Sequence, residues 1–366
     1  MSDKVRNIIM CVSFSLAVGV FALLCWVLPK EEFNFMERRE PKPMPRLSVE
    51  SVLGGSFMSE FEAYTTDNFP LRKEFRALKA GTSKYVFQKL DNNGVYMWDG
   101  YISSMEYPMN PEELEYAGKR FSYINNKYLS EANNVYFSLI PDKNAFMAEE
   151  SGHLSMDYDA FADKMAECVP FAQYIDMYPL FSLEDYYKTD THWRQESITD
   201  VAAHLLSAMG ATADEACTEE TLTEDFRGVY YGQYALPVDG EKIVALSNAA
   251  ISSATVYDHQ NQREIPVYNK ELSDSKDPYE VYLSGSLSYV QLNNPLSNNG
   301  KRLIVFRDSF TSSLAPLLLS GYDEVHLLDI RYQMSDALCP RVDFKDADVL
   351  FLYSAQVLNT ASDTIK

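Results

Sequence analysis

The chain has few of the residues that build disulfide or metal frameworks. Cysteine occurs only five times, and Cys11 and Cys25 fall in an apolar N-terminal stretch. Cys168, Cys217 and Cys339 are scattered without Cys-x-x-Cys spacing, so no metal site or disulfide scaffold is legible and only a single pair among the three stays open. No cofactor or metal is expected. Histidine is equally sparse, and His153, His204, His259 and His326 lack ligand-like spacing. Positive charge is short as well: 32 Lys and Arg face 53 Asp and Glu, for a net charge of −21. No basic stripe stands out against that background, and such a surface repels a phosphate backbone, which argues against nucleic acid as a partner. Internal repeats and low-complexity tracts are absent beyond residue 50.

Apolar residues, by contrast, make up 46% of the chain, enough for a large buried core. From Asn7 to Leu28 no charged residue interrupts 22 positions. As a helix this stretch would reach roughly 33 Å at about 1.5 Å per residue, enough for a bilayer core of about 30 Å. It ends in Cys25-Trp26-Val27-Leu28-Pro29 rather than in small residues, which favours an uncleaved anchor over residues 7–29 above a cleaved signal peptide. Lys4 and Arg6 precede it and Glu31 and Glu32 follow, placing a short tail (1–6) in the cytoplasm and the bulk outside. Residues 30–49, with Pro41, Pro43 and Pro45, read as a linker, and 50–366 as one domain.

Within that domain helix and strand signals alternate. Asn110-Pro111 opens a helix, "NVYFSLI" (134–140) reads as a strand, 158–168 as a helix, "AQYIDM" (172–177) as a strand, and "ESITDVAAHLLSAMG" as a helix stopping at Gly210. A stretch at about 226–295 reads as a β-rich insertion of short pieces ("KIVAL", "ATVYD", "EVYLSG", "SYVQL"). Apolar runs at 302–306, 324–330 and 348–354 then alternate with helices, which predicts an α/β fold with a mostly parallel sheet covered on both faces.

Two motifs carry chemistry. "KTDTHW" sets Asp190 and His192 two residues apart, a spacing that puts both side chains on one face of an extended segment. "RLIVFRDSF" puts Ser309 just after a buried strand and just before a helix, at the sheet edge where α/β folds bind ligands and where helix-start amides can meet an oxyanion. A serine needs a base, and a histidine oriented by an aspartate supplies one. Ser312 and Ser313 lie a turn into the helix and rank behind Ser309. Trp193 reads as packing behind the histidine, with sugar stacking as the other reading. Arg331 is either a site residue or half of a salt bridge.

In order and spacing, "GGSFMSEFEAYTTDNFPLR" (54–72), "KTDTHW", "DPYEVYLSGS" (277–286), "FRDSF", "YDEVHLLDIRY" and "DVLFLYS" resemble the DHHW family of SGNH hydrolase-like proteins, which are similar to the catalytic domains of alginate O-acetyltransferases. The resemblance covers nearly all of the chain beyond residue 40. It implies an SGNH-like three-layer fold and an extracytoplasmic triad of Ser309, His192 and Asp190 that moves acetyl groups on or off cell-surface polysaccharide. It also implies a multipass membrane acyltransferase as acetyl donor. Arg331, Gly285, Gln356, Asn359 and Trp193 become candidates for substrate or oxyanion contacts. The sequence departs from the pattern at Arg307-Asp308-Ser309, where the wider hydrolases have Gly-Asp-Ser, and at Thr191, where the family has His. The chain runs only 13 residues past Tyr353, so no appended carbohydrate module is expected. The same triad with water as acceptor would be an acetylesterase, and the fold without turnover would be a glycan-binding or assembly module.

Overall fold

The computed structural model describes residues 2–34, 39–212 and 216–366. Residues 35–38, inside the expected linker, lie outside that set. The chain divides into two compact units, residues 1–93 with 231–237, and residues 94–230 with 238–366.

The first unit is helical. Helix α1 (Asp3–Val27) is long and apolar enough to cross a membrane. α2 (Val49–Leu53), α3 (Ser56–Asp67) and α4 (Arg72–Gly81) follow, and a π-helical turn (Thr82–Val86) extends α4. The carboxylate of Asp67 accepts two bonds from Arg39, each 2.6 Å, and one from the Lys42 amide, so the proline-bearing stretch is tied to the end of α3.

The second unit holds the α/β core. A short hairpin, β1 (Val95–Trp98) and β2 (Tyr101–Ser104), precedes α5 (Pro111–Tyr128), where Asn110 caps the first turn through Glu112 N. Then come β3 (Val135–Ile140), α6 (Asn144–Ser151), α7 (Tyr158–Cys168) and β4 (Gln173–Tyr174), a strand of two residues where the sequence suggested six. α8 (Thr199–Ala208) ends where Gly210 adopts a left-handed φ of 68°.

The segment around 226–295 is strand-rich and holds no helix longer than six residues. β5 (Thr218–Phe226) and β6 (Glu241–Ser247), separated by α9 (Val229–Tyr234), form their own antiparallel ribbon. After α10 (Ala249–Ser253), strands β7 (Thr255–Asp258), β8 (Arg263–Ile265) and β9 (Tyr289–Asn293) join the main sheet instead of forming a separate layer. "EVYLSG" is not a strand. Pro278 starts a 3-10 turn there, and Leu283, Ser284 and Gly285 follow with φ of 55°, 59° and 89°, left-handed values that no strand can hold.

The main sheet completes with β10 (Arg302–Arg307), α11 (Thr311–Leu318), β11 (Glu324–Leu328), α12 (Ser335–Leu338), β12 (Asp348–Ser354) and α13 (Ala355–Leu358), ahead of the last helix, α14 (Ala361–Thr364). Its strand order is β4-β3-β12-β10-β11-β9-β7-β8, parallel from β4 to β11 and antiparallel beyond. The apolar run of β10 is buried on both faces because alternate residues feed opposite cores. Leu303 and Val305 pack with Leu205 of α8 and Leu314 of α11, while Ile304 and Phe306 pack with Phe121 of α5 and Phe161 of α7. Each such side chain contributes about 1.5–3 kcal/mol by leaving water. The result is a three-layer α/β sandwich whose central strands, β10 and β12, end side by side beneath the loops that carry the two motifs.

A Ser-His-Asp constellation as the candidate active site

Ser309 sits in the turn between β10 and α11. Two flanking residues fix that turn. Asp308, fully buried, accepts from Phe310 N (3.1 Å) through Oδ1 and from Ser354 N (2.7 Å) through Oδ2, stapling the turn to the end of β12. The guanidinium of Arg307 is also buried; it donates to Asp308 O, to Ser312 Oγ (2.8 Å) and to Leu287 O (3.2 Å). Burial lowers its pKa from the ordinary arginine value. Arg307 and Asp308 thus shape the turn from below, a role invisible when Arg307 is read only as a departure from glycine. The Phe310 amide, at the start of α11, is committed to Asp308 and is not free for an oxyanion.

The Asp190–His192 segment is not extended. Tyr186 and Trp193 form an antiparallel bridge, Tyr187 N donates to His192 O (3.0 Å), and the six residues between reverse direction. His192 N donates to Asp190 Oδ1 (3.2 Å), an Asx turn that brings the two side chains together by curvature rather than by strand pleating. The loop is held from two sides. Lys143 Nζ donates to the carbonyls of Tyr187 (2.8 Å) and Lys188 (3.2 Å), and Glu241 accepts from Lys188 N (2.8 Å), Thr189 N (2.9 Å) and Thr189 Oγ1 (2.9 Å). Lys143 is buried, and burial brings its amine down to about 7.

His192 Nδ1–H donates to Asp190 Oδ1 at 2.6 Å, and Ser309 Oγ–H donates to His192 Nε2 at 2.9 Å; this is the tautomer the two contacts require together. Asp190 Oδ2 takes a further bond from Val229 N (2.9 Å). Asp190 is nearly inaccessible at 1% exposure while the His192 side chain keeps 12%, so water reaches the serine end of the chain and not the aspartate end. The His192 imidazole lies flat against the ring of Tyr279, and Tyr279 is held by its hydroxyl contact with Ser313 (2.9 Å). Chemically, this arrangement can take a proton from a serine hydroxyl and hold the resulting imidazolium between a carboxylate and an aromatic face.

The remaining candidates separate. Trp193 is fully buried; its Nε1 donates to Ser313 Oγ (2.9 Å) and Phe310 O (3.1 Å), and Phe181 stacks on it at 5.6 Å. It packs behind the histidine and cannot stack on a sugar. Arg331 forms a two-point salt bridge with Asp329 (2.9 and 2.7 Å), with its pKa raised by that carboxylate against the opposing effect of burial. Gly285 has its amide turned to Tyr282 O (3.3 Å), and a Cβ at this position would lie 2.9 Å from the Glu280 side chain. Asn359 clamps the 108–110 turn, donating to Pro108 O and accepting from Asn110 N. Gln356 does reach the site loop: its Oε1 accepts from Thr191 Oγ1 (3.4 Å) and its Nε2 donates to Glu106 (3.1 Å) and Ser104 (3.4 Å). Ser312 and Ser313 are buried and hydrogen-bonded to Arg307 and to Trp193. All five cysteines are free, so no pair forms among Cys168, Cys217 and Cys339. Among the described residues no three His, Cys, Asp or Glu side chains converge as a metal site would require.

These features define an α/β protein of SGNH-like fold with a Ser-His-Asp geometry at the carboxyl edge of its sheet. No family model matches the sequence, and no curated protein is similar enough to match it. Among solved structures, the fold is similar to that of a DHHW family protein from Eubacterium siraeum, at 18% identity over 75% of this chain and 97% of that one, with a TM-score of 0.58. It is also similar to PatB1 of Bacillus cereus bearing a sulfonyl adduct, at 17% identity over 72% of this chain and 95% of that one, with a TM-score of 0.57. A second PatB1 structure aligns at a TM-score of 0.55, again at 17% identity, over 72% and 96% of the two chains. At these identities it is the fold that is shared.

Proposed function

We propose that this protein is a membrane-anchored O-acetyltransferase that acts outside the membrane on hydroxyl groups of cell-surface polysaccharide. The observation that carries the reading is the unbroken hydrogen-bond chain from Ser309 through His192 to Asp190, at 2.9 and 2.6 Å. Ser309 Oγ attacks the acetyl carbonyl as its proton passes to His192 Nε2. The imidazolium returns that proton to the leaving group, and an acetyl ester remains on Ser309. A sugar hydroxyl then gives its proton to His192 and attacks the ester, and the histidine restores the Ser309 hydroxyl. Asp190 stays ionised throughout, holding the tautomer and the positive ring.

Three further points support the reading. The sequence motifs resemble a family for which this chemistry is expected. The similar PatB1 structure carries a sulfonyl adduct, and sulfonyl groups are captured by activated nucleophiles. Helix α1 is long enough to span a bilayer, and Lys4 and Arg6 favour its amino end inside. In this scheme a multipass membrane acyltransferase delivers the acetyl group and the anchored protein completes the transfer.

The test is incubation of the full chain in detergent with an activated acetyl ester and an oligosaccharide. Acetylated sugar that disappears in Ser309→Ala bears the proposal out. Acetate without acetylated sugar would make the protein an esterase. Neither product, from a folded protein, would leave a glycan-binding module.

A further inference from the structure

Although no basic stripe stands out from the composition, residues 71–90 form one. They hold Arg72, Lys73, Arg76, Lys79, Lys84 and Lys89 against the single acid Glu74, in a chain whose net charge is −21. One face of α4 turns inward: Ala80 and Ser83 are buried, and Arg76 donates to Gly232 O at 2.8 Å. The opposite face is apolar and largely exposed. Leu71, Phe75 and Leu78 follow one another at i, i+4 and i+7, and their exposures are 59%, 44% and 64%. The π-helical turn prolongs this surface through Tyr85, Val86 and Phe87, each about two-thirds or more exposed (71%, 69% and 67%). Among the described residues, Lys79 hydrogen-bonds to Asn92 and Asn93, and Lys84 to Tyr234, all neutral groups.

Position relative to α1 identifies the occupant. Phe75 meets Phe21 of α1 edge to face, with centroids 6.1 Å apart, and Phe69 stacks on the same ring at 5.3 Å. Phe21 lies six residues before the end of α1 at Val27, about 9 Å along the axis at 1.5 Å per residue. A helix packed at that level sits at the depth of about 5–10 Å that interfacial helices occupy below the headgroups. The apolar stripe therefore begins against α1, at Phe75, beside residues that would face acyl chains.

We infer that residues 71–90 lie along the outer membrane surface, with Leu71, Phe75, Leu78 and Val86 in the acyl boundary and the flanking lysines on anionic lipid headgroups. The inference rests on α1 spanning the bilayer. It gives the protein a second membrane contact that fixes how its first unit lies on the membrane.

The test uses the full chain, with its five native cysteines replaced, in nanodiscs of phosphatidylcholine with or without phosphatidylglycerol. A nitroxide is placed at Leu78→Cys, at Val86→Cys or, as a solvent-exposed control, at Glu131→Cys. The expected result is a severalfold higher ratio of oxygen to nickel-chelate collisions at 78 and 86 than at 131. Phosphatidylglycerol should raise the ratio further, and Lys84→Gln with Lys89→Gln should abolish that rise. An anchored chain in which 78 and 86 are as water-accessible as 131 overturns the inference alone. Release of the chain from the discs by alkaline carbonate overturns the span and the inference together. Protection that appears only when other membrane proteins are present would assign the surface to a protein and overturn the lipid assignment.

Discussion

The ring of Tyr279 lies parallel to the imidazole of His192, with centroids 3.8 Å apart and planes 9° apart. Because Tyr279 is buried and its pKa is raised by that burial, it faces the histidine as a neutral phenol. Its ring limits the imidazole to one plane and presents a negative face to the imidazolium. Tyr279→Phe keeps the ring and loses only the contact with Ser313, an effect of about 1 kcal/mol or roughly fivefold in rate. Tyr279→Leu removes the ring and should lower kcat by a further factor of about ten, with KM little changed. Steady-state kinetics on an acetyl ester separates the two.

Asp190→Asn keeps the size of the side chain but presents an amide that can leave His192 in the wrong tautomer. Where this exchange acts on a histidine–serine pair, turnover falls by about 10⁴. A loss of that order is expected here with no change in thermal midpoint beyond that of a lost charge-assisted bond. Retention of turnover within tenfold would mean that Asp190 does not orient the histidine.

Gly228 is pressed against the aspartate. A Cβ built there would lie 2.2 Å from Asp190 Cβ, while the neighbouring amides of Gly228 and Val229 donate to Thr189 Oγ1 (2.8 Å) and Asp190 Oδ2 (2.9 Å). Gly228→Ala must push the two segments apart, at a cost of about 1–3 kcal/mol. The expected outcome is a lower unfolding midpoint together with a loss of activity larger than that caused by an equally destabilising change far from the loop.

Beneath the same loop, Asp142 and Lys143 give stability a two-sided dependence on pH. Burial, reinforced by the negative charge of Glu106, pushes the Asp142 carboxyl from 3.8 up to about 7. The folded chain then holds a proton that the unfolded chain has released, so this group's contribution is present at low pH and is lost as pH rises toward 7. Lys143 works in the opposite sense. Its folded pKa is lowered from 10.5 to about 7, so the unfolded chain binds the extra proton and stability rises between about 7 and 10.5. Within either window the slope approaches about 1.4 kcal/mol for each step of one in pH. Asp142→Asn should flatten the decline below neutrality, and Lys143→Met the rise above it, in unfolding midpoints measured across that range. Lys143→Met should also lower activity, because the carbonyls of Tyr187 and Lys188 lose their donor.

The proposed nucleophile and base are legible in the sequence because each sits in a short local pattern: a serine between a strand with an apolar centre and a helix, and an aspartate two residues from a histidine. The sheet is legible for the same reason, since β10 and β12 are centred on apolar runs (Leu303–Phe306 and Val349–Tyr353) and β11 on one interrupted by His326. What holds the site is not. Lys143, Glu241, Gly228 and Tyr279 are single residues from four separate segments, and nothing local marks them as neighbours of Asp190 or His192. Of the two readings that the sequence leaves for Arg331, the structure shows the salt bridge, with Asp329 two residues earlier. "EVYLSG" (280–285) reads as a strand because of its Val281 and Tyr282, and the left-handed run at 283–285 leaves little mark on the sequence. The basic stripe of α4 is hidden by the acidity of the chain as a whole.

The central claim is that Ser309 carries the acetyl group in a reaction driven by His192. Rapid acid quench of the full chain with an activated acetyl ester, followed by peptide mass spectrometry, tests it most directly. The account predicts one acetyl group on Ser309, absent in Ser309→Ala and nearly absent in His192→Ala. Acetyl on a different residue, or on Ser309 at undiminished yield in His192→Ala, would contradict it.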